Sequence, residues 1–440
     1  MSARDTVRER AAAAKAAART LAGLPTESKD RALRAVAGRI EAESAAILEA
    51  NRADVAEARA SVAAGTLAGP LLDRLVLDAG KVRAMADGVR AVAALPDPSG
   101  RLLAKTLLDD GLLLEKVTCP LGVLAVVFES RPDAVPQIGA LALKSGNAAL
   151  LKGGRESARS ASAILSAIRA GLGEVPEVPA DALQLLSTRE EVKTLLSLES
   201  EIDLVIPRGG TDLVRFVREQ TRIPVLGHAE GVCHLYVDRA ADPKSAIAIA
   251  VDSKTTYPAA CNAVETLLLH REAAARLLEP LVAALREKGV EIRACEKTRA
   301  LAPDLDLTVA ADGDFGREFG ALILAVKTVE SLEEAIGHVN RYGSKHTDAI
   351  VTEDRAAADR FLAEVDAAGV FVNASTRFAD GFRYGFGAEV GVSTSKLHAR
   401  GPVGLEGLVT YKYRLLGEGH LVATYTGPDA RPFRHLRLGP

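Results

Sequence analysis

The sequence predicts an α/β protein built on parallel sheets, with a small β element added to it. Three observations carry this. From residue 121 onward, short apolar runs alternate with amphipathic stretches: "LGVLAVVFE", "PQIGALALKSG", "AALLKGG", "SARSASAILSAIRAGLG". Strands joined through helices need crossover connections, so they run parallel and are covered on both faces. A second series of the same texture follows Cys261, from "AVETLLLH" to "GVFVNAST", so two αβ units flank that cysteine. Finally, 440 residues exceed what one hydrophobic core usually supports, so two or three domains are expected.

In chain order, residues 1–95 place alanine, leucine, arginine and glutamate at helical spacing, and "DPSG" at 97–100 ends that region. "LLAKTLLDDGLLLEKV" sets two apolar runs around Asp109-Asp110-Gly111, a hairpin signal. The first αβ series continues through "ALQLLS", "REEVKTLLSLE", "DLVIPRGG", "DLVRFVREQ" and "GVCHLYVD". The second holds a long helix from 271 to 288, then "VEIRAC", "ALILAVKTV", "SLEEAIGHVNRYG" and "DAIVTED", and a helix near 355–367. After 400, "GLVTYKYRLLG" has strand character and no helix partner, so it is expected to add to another sheet or another subunit.

Composition narrows the function classes. Lysine plus arginine is 55 against 58 aspartate plus glutamate, a net charge of −3 without long runs of one sign, which speaks against nucleic acid or a polybasic membrane anchor as partner. The four cysteines lie far apart, with no CxxC pair and no clustered histidines, so no metal site or disulfide framework is expected. The alanine-rich start carries Asp5 and Glu9 and suits neither a signal nor a transit peptide, and no apolar run reaches membrane-span length; a reducing cytoplasm is the expected location.

Three stretches are candidates for chemistry. Cys261 in "TTYPAACNAVETLL" sits among small residues before a strand, where a carbonyl and a flat ring could approach its sulfur; a buried structural thiol is the alternative. At the end of "AALLKGGRES", Lys152 and Arg155 flank two glycines beyond a strand, where doubly wound sheets bind ligands; a solvated basic turn is the alternative. In "DLVIPRGGTDLVRF", Arg208, Gly209 and Gly210 lead into a helix whose free N–H groups suit a phosphate, although glycines there also serve simple tight turns. "YGFGAEVG" has the wrong spacing for a dinucleotide fingerprint.

Taken in order, "VFESRPDAVPQIGALALKSGNAALLKGG", "VIPRGGTDLV", "PVLGHAEGVCHLYVD", "DSKTTYPAACNAVETLL" and "GAEVGVSTSKLHARGPVGLEGLVTYK" resemble the aldehyde dehydrogenase superfamily, most closely its branch that reduces the acyl phosphate of glutamate. The resemblance implies two Rossmann-like α/β domains and a small β oligomerisation element. It assigns 1–100 and 119–254 to cofactor binding, 255–399 to catalysis, and 101–118 with 400–440 to assembly of a homo-oligomer. It further implies NADPH-dependent reduction of L-glutamyl 5-phosphate to L-glutamate 5-semialdehyde and phosphate, on the route to proline, with a glutamate 5-kinase as a coupled source of the labile substrate.

By the same resemblance, Cys261 forms a thioester, Lys152 holds the adenosine ribose, "PRGG" lies beside the pyrophosphate, and Glu318 grips the nicotinamide ribose. Arg155 stands where many NAD-using relatives carry glutamate, and a cation there suits the 2′-phosphate of NADP. Two departures from aldehyde-oxidising relatives stand out. "FESRP" replaces the stretch that carries an oxyanion-hole asparagine, and "VLGHAEG" replaces the motif of the water-activating glutamate, with Glu230 out of register. A reductase of acyl phosphates never hydrolyses its thioester, so that base is dispensable. Backbone N–H groups around Cys261, together with Asn262, are candidate oxyanion donors, and Arg131 is a candidate for the phosphate or oxyanion, with a surface ion pair as its other reading. Ser375 and Arg377 in "NASTRFADGF" are candidates for the glutamyl carboxylate and amine, or parts of an ordinary loop. His228 and His234 read as core histidines, and Cys119, Cys233 and Cys295 as structural thiols. The rival readings are an aldehyde-oxidising enzyme and a non-catalytic scaffold.

Overall fold

The computed structural model describes residues 3–67, 69–129, 131–227 and 230–439. Five helices open the chain: Ala3–Leu21, Thr26–Ala42, Ser44–Ala63, Gly69–Leu75 and Ala79–Ala94. Their apolar stripes face inward, so Leu33, Ile40 and Val89 share one core with Val126 and Leu150 of the first parallel sheet. A hairpin follows, β1 (Leu102–Asp109) and β2 (Leu112–Pro120), turning at Gly111, whose φ of +73° suits a residue without a Cβ.

The first parallel sheet consists of β3 (Val123–Phe128), β4 (Ala148–Lys152), β5 (Leu183–Leu185) and β6 (Leu204–Arg208), in the order β5-β4-β3-β6. Every residue of β3 is buried, as expected for a central strand covered on both faces. The second sheet has seven parallel strands: β7 (Cys233–Val237), β8 (Val264–His270), β9 (Glu291–Ala294), β10 (Thr308–Val309), β11 (Ile323–Val329), β12 (Thr347–Val351) and β13 (Gly369–Val372), ordered β10-β9-β11-β8-β7-β12-β13. Alternation sets its two faces. Leu267 and Leu269 pack with Leu277 and Leu281 of the helix Arg271–Glu287, while Leu268 between them packs with Ile336 and Phe361 on the opposite side.

Two expectations shift here. β7 pairs with β8 and β12, and the helix Pro243–Thr255 packs Ala246 and Ala250 against that same sheet. The boundary drawn at 254 therefore moves back to before β7, because the hydrogen-bond ladder, not the texture of the sequence, decides to which sheet a strand belongs. The tail also divides. β14 (Gly391–Ser393) and β15 (Gly401–Val403) form a small ladder, and Leu405 and Leu408 join the first core. β16 (Val409–Leu416) and β17 (Leu436–Gly439) pair with the hairpin, completing a sheet in the order β16-β2-β1-β17. Asp109, buried at the turn, is bonded by Tyr425 and Arg431 of the tail, which ties the tail to its own hairpin.

Candidate active site

The carboxyl ends of β3, β4 and β6 carry Glu129, Lys152 and Arg208, and the amino ends of β7 and β8 carry Gly231 and Cys261. Asp242 starts the helix before Cys261 by accepting from Ser245 N at 2.8 Å, with Pro243 in the first turn. After this helix ends, two tight turns, Ala260 N to Tyr257 O (3.1 Å) and Ala263 N to Ala260 O (2.9 Å), hold Cys261 just ahead of β8. The backbone of β7 closes on it from the other side. Cys233 Sγ donates to Cys261 O at 3.3 Å, and a Cβ built on Gly231 would stand 2.1 Å from Cys261 O and 2.6 Å from its Cα. Only glycine allows that approach. Gly231 escaped the sequence reading because glycine before a strand signals nothing about which backbone it will touch.

Burial pushes the Cys261 thiol up to about 12, Glu318 and Glu389 push in the same direction, and the nearby Arg377 opposes them. The resting cleft therefore holds a protonated thiol rather than the ready thiolate that a nucleophile suggests. Glu318 Oε2 accepts from Gly231 N at 2.9 Å, which sets this expected ribose ligand directly beside the glycine that clamps Cys261. Behind both lies an ion pair missed in the sequence. Lys254 Nζ donates to Glu265 Oε2 at 2.6 Å with both side chains fully buried, and Glu265 Oε1 accepts from Gly320 N at 3.2 Å. Burial lifts Glu265 to about 7 although Lys254 pulls it down. A carboxylate inside the apolar run "AVETLLL" was the available signal.

The cofactor candidates separate into two groups. Lys152 is half-buried and donates to its neighbour Gly153 O, which leaves further N–H groups free in direction, and burial lowers its pKa. Arg155 is exposed in a short turn just beyond. Both stand at the carboxyl edge of β4. Arg208 does not point that way: its Nη1 donates to Gln137 Oε1 at 3.0 Å and its Nη2 lies 3.9 Å from Glu389 Oε1. It is drawn inward by a carboxylate within the field of Cys261, so its expected place beside a pyrophosphate is corrected. Gly210 N meets Glu129 Oε2 at 3.0 Å, and a Cβ on Gly209 would collide with that carboxylate at 2.4 Å. The double-glycine turn thus already seats an internal anion.

Arg131 is half-exposed and only loosely paired with Asp133 at 3.7 Å, with Arg208 and Glu389 nearby. Asn262 donates Nδ2 to Ala379 O at 2.9 Å, which fastens the Cys261 turn to the segment carrying Ser375 and Arg377. Ser375 serves that segment itself: its Oγ accepts from Ser253 Oγ at 3.1 Å and from Arg377 N at 3.3 Å. Arg377 is left as the ligand-facing candidate. His234 is fully buried with Nδ1 3.2 Å from Asp348, and His228 lies outside the described residues. Cys233 is buried, Cys295 caps the helix Glu296–Leu301, and Cys119 lies in β2, so Cys261 is the thiol that sits between the two sheets.

Two parallel sheets meeting over a clamped cysteine define the class: residues 1–299 match the family described as "Aldehyde dehydrogenase family", and the chain belongs to it. Within it, a gamma-glutamyl phosphate reductase from Synechococcus sp. (strain JA-3-3Ab) is 60% identical over 96% of this chain and 92% of its own length. The crystal structure of the gamma-glutamyl phosphate reductase of Thermotoga maritima superposes with a TM-score of 0.90 at 41% identity, over 94% of this chain and 99% of that one. A glyceraldehyde-3-phosphate dehydrogenase from Methanocaldococcus jannaschii, complexed with NADP, shares the fold at 16% identity and a TM-score of 0.66, over 94% of this chain and 95% of its own.

Proposed function

We propose that the chain reduces L-glutamyl 5-phosphate to L-glutamate 5-semialdehyde through a thioester on Cys261, in the synthesis of proline. The reading is carried by the clamped turn of Cys261, in a chain so similar to gamma-glutamyl phosphate reductases over nearly its whole length. Cys261 Sγ attacks the γ-carbonyl carbon, the C–O bond to phosphate breaks, and inorganic phosphate leaves. The thiol proton must leave on attack, and Glu318 and Glu389, whose fields reach the sulfur, are the acceptors at hand. NADPH, when bound, supplies the hydride. The resulting thiohemiacetal expels the Cys261 thiolate and releases the aldehyde. Backbone N–H groups of the turn hold the oxyanion, an effect of about 3–4 kcal/mol per well-placed donor, while the Asn262 side chain steadies the turn through Ala379.

Lys152 and Arg155 would hold the adenosine end, with Arg155 on the 2′-phosphate, and Glu318 the nicotinamide ribose. Arg131, with a weak partner and a place at the cleft edge, would receive the phosphate. The β16-β2-β1-β17 sheet exposes Tyr413, Leu415 and Leu416 along an edge strand, which favours assembly into a homo-oligomer. A cytoplasmic site fits four free cysteines, and no helix among the described residues is long and apolar enough to cross a membrane. Because acyl phosphates hydrolyse readily, a glutamate 5-kinase is the natural functional partner. The decisive assay runs the reaction backward, with L-glutamate 5-semialdehyde, inorganic phosphate and NADP. NADP reduction should require phosphate and vanish in Cys261→Ser; reduction without phosphate would reassign the chain to aldehyde oxidation.

A further inference from the structure

Three polar side-chain atoms beside the nucleophile are buried without a hydrogen-bond partner: Asn262 Oδ1, Thr376 Oγ1 and Arg377 Nε. Their residues are 6%, 0% and 8% exposed. Buried polar groups are almost always paired, and a buried guanidinium nearly always has a carboxylate. Arg377 has none. Its charged neighbours are otherwise engaged: Asp380 accepts from the Phe382 and Arg383 N–H groups, and Asp252 accepts from Thr256 Oγ1. Tyr257, with its ring centre 5.9 Å from the guanidinium carbon, offers a face but no acceptor. The Asn262 side chain and the backbone that carries Thr376 and Arg377 are also tied down. Asn262 is tied to Ala379 O, Ala379 N to Thr376 O, Thr376 N to Ser253 Oγ, and Arg377 O is held by Arg383 Nη1. Such fixed and unpaired groups are what a preorganised binding site costs in the absence of its ligand.

We infer that this cradle recognises the α-amino-acid end of the substrate, with Arg377 taking the α-carboxylate and Asn262 Oδ1 the α-ammonium. The inference rests on the reaction proposed above and adds to it the residues that select the substrate. The chemistry of the orphans decides between the two ends of the molecule. Phosphate would call for donors alone, whereas Asn262 Oδ1 can only accept, so a donor fork beside a bare acceptor matches a zwitterion. Thr376 Oγ1, able to do either, completes the set.

The test compares substrates against variants, using phosphate-dependent NADP reduction. The aldehydes are L-glutamate 5-semialdehyde, 4-aminobutanal, which lacks the carboxylate, and 5-oxopentanoate, which lacks the amine. In the unaltered enzyme, losing the carboxylate should lower kcat/KM about hundredfold, the size of a lost charge-assisted pair. Arg377→Met should lose as much on the semialdehyde, treat 4-aminobutanal no worse, and keep its KM for phosphate; Arg377→Lys should recover part of the loss. Asn262→Ala should likewise stop distinguishing 5-oxopentanoate. Arg377→Met should melt no lower than the unaltered protein, because it removes an unpaired buried charge. A raised KM for phosphate with carboxylate discrimination intact would overturn the assignment, making phosphate the ligand of Arg377. Calorimetry with L-glutamate and glutarate reads the cradle without turnover. If glutamate binds only when Arg377 is present but the reverse reaction fails, the reaction is wrong and the cradle stands; equal binding to Arg377→Met overturns the cradle.

Discussion

Alkylation of Cys261 by iodoacetamide should be slow and should rise with pH without levelling off below pH 10. The thiol is held at about 12 against an ordinary 9.0, by burial first and by Glu318 and Glu389 next. At pH 8 an unshifted thiol of that kind is about one-tenth ionised, and one at 12 about one part in ten thousand, a deficit of roughly 900-fold. The more basic thiolate is intrinsically faster by roughly 20-fold over that span, with a Brønsted slope of about 0.45. The net expectation is a rate roughly 40-fold below that of an unshifted, accessible thiol, climbing about tenfold per pH unit. Stopped time courses read by peptide mass spectrometry give the rate at Cys261 alone. Glu389→Gln should speed it and Arg377→Met slow it, each unit of displacement being worth roughly three- to fourfold after the same compensation. A plateau below pH 9 would show that the resting enzyme already holds a thiolate, and the electrostatic reasoning would fall.

Gly231→Ala should fold but lose about hundredfold in kcat/KM, because its methyl group can be housed only by moving the Cys261 backbone, and a displacement near 1 Å has that effect; near-normal turnover would mean the clamp is loose. Lys254→Met should destabilise the protein by about 3–5 kcal/mol above pH 8, as removal of one partner from a buried pair does. The loss should shrink near pH 5. Glu265, already lifted to about 7, has a folded-state value above its unfolded one, so stability is kept at low pH and lost as pH rises through it; urea midpoints independent of pH would refute this. Arg155→Glu should weaken NADPH relative to NADH by roughly fivefold, about 1 kcal/mol, since an exposed site screens the charge, and titration of both cofactors would expose an unchanged ratio. Leu415→Asp should shift sedimentation at micromolar concentration toward monomer, unless the exposed strand face plays no part in assembly.

Most of the elements, and the cysteine proposed as nucleophile, are legible in the chain itself. Continuous apolar runs made the strands of both sheets legible except the exposed two-residue β10, helical spacing exposed the opening helices, and Asp109-Asp110-Gly111 marked its turn, because these signals are local. Cys261 stood out through its small neighbours and its place before a strand. What touches it follows from packing between distant segments. Arg208, on paper a phosphate ligand, turns inward to Glu389, a residue 181 positions away whose carboxylate the chain sequence does not place. Ser375 is engaged by Ser253 across 122 positions, whereas Arg377 Nε is buried with no hydrogen-bond partner among the described residues. Gly231 matters for a backbone contact and not for its own turn, and β7 changed domain because its ladder partners come from later in the chain. Spacing along a chain reports periodicity within one element, whereas pairing, desolvation and close approach depend on which distant segments meet, and those meetings are settled only when the two sheets pack.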